Sequence, residues 1–190
     1  MKTTLIAGLA ASALAVPAFA NEFEPAMRAY FESEISSWMQ DQVIIDAING
    51  QNTTTMAYDQ AQIDALDQAW RAEVGTDGAP TITPVLENAA AARLRALVEA
   101  SGGQITEIFV MDGVGLNVAA SATTSDYWQG DEAKFQETHG VGPDAVHFGE
   151  VEFDESSQQY QGQISVTITD PATGKPIGAM TVGVDAESLL

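Results

Sequence analysis

Cysteine is absent from the 190 residues. The fold therefore carries no disulfide, and thiol chemistry and cysteine-ligated metals are excluded. Positive charge is scarce, with 7 Lys and Arg against 27 Asp and Glu, which argues against nucleic acid and anionic membrane surfaces as partners. The acids are spread along the chain and hydrophobic residues make up 45% of it, so the pattern is that of a folded acidic domain rather than a disordered tail. Enzyme signatures are missing too: there is no G-x-S-x-G, no H-E-x-x-H and no P-loop. The two histidines, His139 and His147, stand eight residues apart across a Gly/Pro loop and read as one loop and one strand histidine rather than a metal pair. The acidic stretch from Glu150 to Ser156 lacks the spacing and central glycine of a calcium loop and reads as a solvated edge. No catalytic activity, cofactor or metal is expected.

The first twenty residues read as an export signal. Lys2 supplies a short positive start, Leu5 to Val16 is apolar, Pro17 breaks the run, and Ala18-Phe19-Ala20 has the form of a cleavage site. The apolar run is too short to cross a bilayer of about 30 Å, and no later segment is long and apolar enough to do so. A cleaved, exported, periplasmic chain starting at Asn21 is expected, with no membrane insertion. Its residues 21–190 suffice for one domain with a sizeable core.

Residues 21–103 have helical periodicity. Phe23, Met27, Phe31, Ile35, Trp38, Ile45 and Ile48 recur at helical steps, predicting one long helix that starts near Pro25 and stops at Asn49-Gly50. Ile63, Leu66, Trp70 and Val74 predict a second, shorter helix. Thr83 and Pro84 open a third, with a stripe of Leu86, Ala90, Leu94 and Leu97. From residue 104 the period changes to two. Ile105–Met111 and "LNVAAS" flank an Asp112-Gly113 turn. A loop with a short helix over 131–137 follows. Val146 and Phe148 then alternate out of phase with Val151 and Phe153, which predicts a bulge at Gly149-Glu150. The last two strands carry Ile164, Val166, Ile168 and Met180, Val182, Val184. Strands that cluster after helices predict an α+β fold, with an antiparallel sheet of about five strands and the long helix packed on one face.

The opposite face of those last strands is small and polar: Ser165, Thr167, Thr169, Ala179, Thr181 and Gly183. Such a face leaves room and offers hydroxyls, as a pocket requires. An antiparallel sheet also commonly leaves one face to solvent, and the pattern alone does not choose. Beside it must run "SDYWQGDEAKF", Ser125 to Phe135. Exposed adjacent aromatics are costly unless covered or used, so this segment reads as a lid. Tyr127 and Trp128 would be its apolar walls, and Lys134 or Asp126 its polar anchor. Asp126 and Asp185 could meet a cation and Lys134 a carboxylate, so an amino acid, an amine or a short carboxylate would suit.

The block "IFVMDGVGLNVAASATTSDYWQGDEAKF", followed by "QGQISVTITDPATGKPIGAMTVGVD", resembles the Cache/PDC family of extracellular sensor domains in its single-Cache, PAS-like form. The resemblance covers Pro84 to Asp185 well and the first helix loosely. It implies a sheet with a long helix on one face and a small-molecule pocket on the other. It also implies pocket residues at Tyr127, Trp128 and Lys134 from the loops, and at Thr167, Thr181 and Asp185 from the sheet. Many such domains belong to chemoreceptors and histidine kinases, which makes a membrane-bound signalling protein a candidate partner. The other reading is an accessory module of the periplasm that binds a protein and no small ligand.

Overall fold

The computed structural model describes residues 21–154 and 157–190; the leader assigned to residues 1–20 lies outside them. Five strands form one antiparallel sheet: β1 (Ile105–Met111), β2 (Asn117–Ala120), β3 (Val146–Asp154), β4 (Gln159–Asp170) and β5 (Lys175–Asp185), in the spatial order β2-β1-β5-β4-β3. The helices are α1 (Glu24–Tyr30), α2 (Gln42–Thr55), α3 (Gln60–Glu73), α4 (Thr83–Leu86), α5 (Ala89–Ala100) and α6 (Ala133–Gln136). The fold is α+β, as the periodicities predict. Among the described residues no helix is long and apolar enough to cross a membrane.

The period-two pattern explains the core. Ile164, Val166, Ile168, Met180, Val182 and Val184 are all fully buried. They pack with Ile108 and Val110 against Met27, Ile35, Ile44, Ile45 and Ile48 from the N-terminal helices and Leu94 and Leu97 from α5. Burying each such side chain stabilises by about 1.5–3 kcal/mol.

The N-terminal layer departs from one unbroken helix. After α1 the chain passes through a π-helical turn (Phe31–Ile35) and a 3₁₀ turn (Ser36–Gln40), and Asp41 then leaves the helical region with ψ 115°. Its carboxylate accepts from the Val43 amide at 3.0 Å and starts α2. The apolar stripe survives this break because the altered turns keep Ile35, Ile44, Ile45 and Ile48 on the sheet side. Ile45 is buried, while Phe31 and Trp38 are half-buried against the same core. Asn49-Gly50 does not end α2, which continues to Thr55. The third helix begins later than its Thr83-Pro84 signal: a single turn is followed by Asn88, whose Oδ1 accepts from the Ala91 amide at 2.8 Å and caps α5. The Asn88 amide group also donates to the Val118 carbonyl at 2.9 Å, tying that cap to β2.

The predicted turn and bulge are both present. Buried Asp112 accepts from the Val114 and Leu116 amides at 3.0 Å each and closes the β1–β2 turn. Gly115 there has φ +87°, a left-handed value that glycine adopts without strain. The β3–β4 register shifts between Phe148 and Val151.

Candidate functional site

Register places the polar face. Phe109 pairs with Thr181, Thr181 with Ser165 and Ser165 with His147, so these four form a row across the sheet. One step along, Glu107 pairs with Gly183 and Gly183 with Gln163; a further step pairs Asp185 with Gln161 and Gln161 with Glu152. Gly183 matters here because a β-carbon at that position would collide with the side chains of Gln161 and Thr106. Without it, the Gln161 side chain lies over the strand. Its Nε2 donates to Glu107 Oε1 at 2.8 Å, and its Oε1 receives the Thr106 hydroxyl.

The excursion after β2 covers this face and is pinned along its length. The Asn117 amide donates to the Tyr127 carbonyl at 3.0 Å, and the Gln129 amide to the Gly115 carbonyl at 2.8 Å, so residues 127–129 run beside the hairpin like a short extra strand. From α3, one oxygen of Asp67 accepts from the amides of Tyr127 and Trp128 at 2.9 and 3.0 Å. The other receives Arg71 at 2.7 Å, and Arg71 also reaches Asp126 at 2.9 Å. The chain then turns into α6, whose Phe135 is buried in the second apolar cluster.

Between this excursion and the β3–β4 strands lies a cavity of about 520 Å³. Ser125, Glu132 and Lys134 form one side; Glu152, Asp154, Gln161 and Gln163 are among the residues of the other. Behind it sits a small chamber of about 20 Å³ with Glu107, Phe109, Gln129 and Lys134 in its wall. Lys134 is shared by both. Its side chain is 15% exposed, its Nζ is 2.9 Å from Glu132 Oε2, and it lies 5.4 Å from the centre of the Phe109 ring. Gln129 is 2% exposed and its Oε1 has no hydrogen-bond partner. A buried amide oxygen left unpaired costs about 1–3 kcal/mol.

The residues singled out in sequence divide. Lys134 lines the cavity. Thr181 is buried and shares a hydrogen bond with Ser165 at 3.0 Å, while Thr167 is buried with its hydroxyl unpaired; neither is among the cavity's lining residues. Asp185 caps the final 3₁₀ turn (Ala186–Leu189), accepting from the Ser188 amide at 3.2 Å. Asp126 is held by Arg71, Ser125 and Gln129. Tyr127 stacks on Trp70 of α3 with ring centres 5.0 Å apart. Trp128 donates from Nε1 to the Val114 carbonyl at 2.8 Å and closes the β1–β2 turn. The two aromatics thus face α3 and the hairpin rather than the cavity. Glu107, Gln129, Gln161 and Gln163 were not singled out. The glutamines of β4 carried a signal, since Gln161 and Gln163 continue the alternation of Ser165 and Thr167. The stretch read as a solvated edge lies on the edge strand β3 with Glu150, Glu152 and Phe153 exposed, as that reading expects, and its Glu150, Glu152 and Asp154 also border the cavity.

Tyr127 instead borders a second groove of about 480 Å³, with Thr54, Tyr58, Leu66 and Asn88. Burial pushes its phenol up to about 12, and Asp112 and Tyr58 add in the same direction. A folded-state value above the ordinary one of about 10 gives stability that is fully present below pH ~10 and lost as pH rises through ~12, roughly 2–3 kcal/mol in all. Ultraviolet titration of the folded protein should therefore leave Tyr127 un-ionised near pH ~11, alongside whatever part of Tyr30 burial and Glu34 also hold back, and Tyr127→Phe should lower the un-ionised amplitude at that pH. If all tyrosines ionise together, the burial of Tyr127 is contradicted.

Among the described residues, no group of three His, Asp or Glu is arranged to hold a metal ion. No family model matches the chain, and no curated protein matches it. Among solved structures the chain is similar to the ligand-binding domain of the Campylobacter jejuni chemoreceptor Tlp3 in complex with L-valine, at 15% identity over 83% of this chain and 64% of that one, TM-score 0.42. It is similar to the V. cholerae histidine kinase DctB sensor domain at 14% identity over 87% and 58%, TM-score 0.41. It is also similar to the ligand-binding domain of the Pseudomonas fluorescens chemoreceptor CtaA in complex with L-alanine, at 12% identity over 82% and 61%, TM-score 0.41. The chain spans less than two thirds of the length of each of these three.

Proposed function

We propose that this chain is an exported, periplasmic sensory domain of the Cache/PDC type, which binds a small polar metabolite between the 125–135 segment and the sheet. The observation that carries the reading is the cavity at Lys134. It is a concavity of about 520 Å³ with a largely buried cation, Lys134, in its wall. Ligand sites combine such a hollow with a few placed polar groups. Of the residues picked out in sequence, Lys134 is the proposed contact, joined by Gln129, Gln161 and Gln163. Asp126, Tyr127 and Trp128 hold the segment that carries Lys134. A membrane-bound signalling protein is the partner this reading calls for.

The test is a thermal-shift panel of the purified protein against amino acids, amines, short carboxylates and purines. A ligand at 100 times its dissociation constant stabilises by about 2.7 kcal/mol, which raises the melting temperature by roughly 5–10 °C for a domain of this size. Lys134→Ala should leave the unliganded melting temperature within about 2 °C and weaken the best compound about tenfold or more. A flat panel together with co-purification of a protein partner would replace this reading with the accessory-module one.

A further inference from the structure

We infer that the second groove, beside Tyr127, is a separate binding site for a small neutral molecule, an apolar body carrying one hydroxyl group. It is independent of the cavity at Lys134, with which it shares no lining residue. Its volume of about 480 Å³ falls within the ~300–1,000 Å³ of small-molecule pockets.

One side of α2 makes a wall. Ala47, Gly50, Gln51 and Thr54 have the i, i+3, i+4, i+7 spacing of a single helix face. Gly50 has no reason in packing or in turn geometry. It lies inside the helix, and a β-carbon there would meet nothing within 4 Å. Glycine inside a helix lowers stability relative to alanine. What its missing side chain provides is open space in the groove. Leu66 of α3, Val85 of α4 and Val118 of β2 supply apolar surface around that space.

Two oxygens of the lining are free to bond a ligand. Tyr127 is 9% exposed and, among the described residues, its hydroxyl has no hydrogen-bond partner. Burial, then Asp112 and Tyr58, push that phenol up to about 12, so it keeps its proton at neutral pH. Gln51 spends its Nε2 on Asp112 Oδ2 at 2.8 Å and on the Asn117 carbonyl at 3.2 Å. Its Oε1 is the end left without a partner among the described residues. Neither oxygen is sealed from solvent, in contrast to Gln129 Oε1. A phenol donates and accepts, and an amide oxygen only accepts. A ligand hydroxyl does both, so it matches either oxygen.

Charge sets the class. The chain carries 27 Asp and Glu, yet none of the groove's lining residues is Asp, Glu, Lys, Arg or His. The Lys134 cavity, by contrast, has charges of both signs in its wall. A charged ligand in the groove would lose water without gaining a counter-ion. An anion would also approach the buried carboxylate of Asp112, which holds Gln51.

Three compounds of nearly one size separate these terms: 4-methylphenol, toluene and 4-methylbenzoate. Each is titrated into the purified protein at pH ~7, where the phenol is neutral, and backbone amide resonances are followed. 4-Methylphenol should bind tightest and move Thr54, Tyr58 and Leu66, leaving Lys134 and Gln163 in place. Toluene should bind roughly 2–10-fold more weakly for want of the hydroxyl, and 4-methylbenzoate weakest. Gly50→Leu fills the space with a good helix former and should abolish binding of 4-methylphenol without lowering the melting temperature. Tyr127→Phe keeps the ring and removes the hydroxyl. It should weaken 4-methylphenol roughly 2–10-fold, and it decides the matter if Gly50→Leu melts early. Tightest binding by 4-methylbenzoate, shifts centred on Lys134 and Gln163, or silence of all three compounds would overturn the assignment. So would unchanged affinity for 4-methylphenol in either variant.

Discussion

Replacing Trp70 with alanine is expected to destabilise the protein by about 3–5 kcal/mol. Trp70 is fully buried on α3, its ring stacks on Tyr127 at 5.0 Å with 4° between the planes, and its Nε1 donates to the Thr124 carbonyl at 2.9 Å. Truncation opens a cavity between α3 and the excursion, and leaves the Thr124 carbonyl without its donor. For a domain of this size each kcal/mol corresponds to roughly 2–4 °C, so the melting temperature should fall by roughly 6–20 °C. Trp70→Phe keeps a stacked ring but loses the hydrogen bond, worth about 1 kcal/mol, and part of the indole volume, so it should cost less than alanine but more than the hydrogen bond alone. Equal losses from the two variants would show that the stack contributes nothing. The site should suffer with the fold, because Tyr127 and the residues after it reach Lys134 in seven residues.

Gly178→Ala is expected to cost roughly 3 kcal/mol or more and to reduce soluble yield sharply. A β-carbon on Gly178 would strike the backbone carbonyl of Met111, and would come within 3.1 Å of Ile48 Cγ2. Met111 is on β1, hydrogen-bonded beside β5, so neither strand can retreat without breaking the centre of the sheet. Gly50 provides the contrast. It lies inside α2 with nothing within 4 Å of the added carbon. Gly50→Ala should stabilise by about 0.5–1 kcal/mol through higher helix propensity. Denaturant unfolding of the two variants measures both signs; similar midpoints for Gly178→Ala and the unchanged protein would contradict the packing described between β1, β5 and α2.

The sheet was legible because its signal is local. Side chains of a strand alternate faces, so Ile164, Val166 and Ile168 announce a buried side wherever the strand lies. The same alternation placed Ser165, Thr167 and Thr181 on the opposite side, and would have reached Gln161 and Gln163 had it been followed two steps further. What was not legible depends on partners far off in sequence. Tyr127 and Trp128 turn to α3 and to the hairpin because Asp67, 60 and 61 residues earlier, accepts from both their amides. No local pattern carries that information. The break at Asp41 was missed for a different reason. The apolar stripe passes straight through it, and only the capping preference of aspartate before Gln42 hinted at a new helix start. Glu107 stood within a strand pattern as a lone acid, and the glycine that lets Gln161 reach it is on another strand, at position 183.

The central claim is that the cavity beside Lys134 is the ligand site. It is tested most directly by following backbone amide resonances of the purified protein during titration with the panel compound that raises its melting temperature most. The account predicts shifts at Gln129, Lys134, Gln161 and Gln163, with Thr54 and Tyr58 in the second groove unmoved. Shifts confined to Thr54, Tyr58 and Leu66, or no compound that shifts any of these resonances, would contradict it.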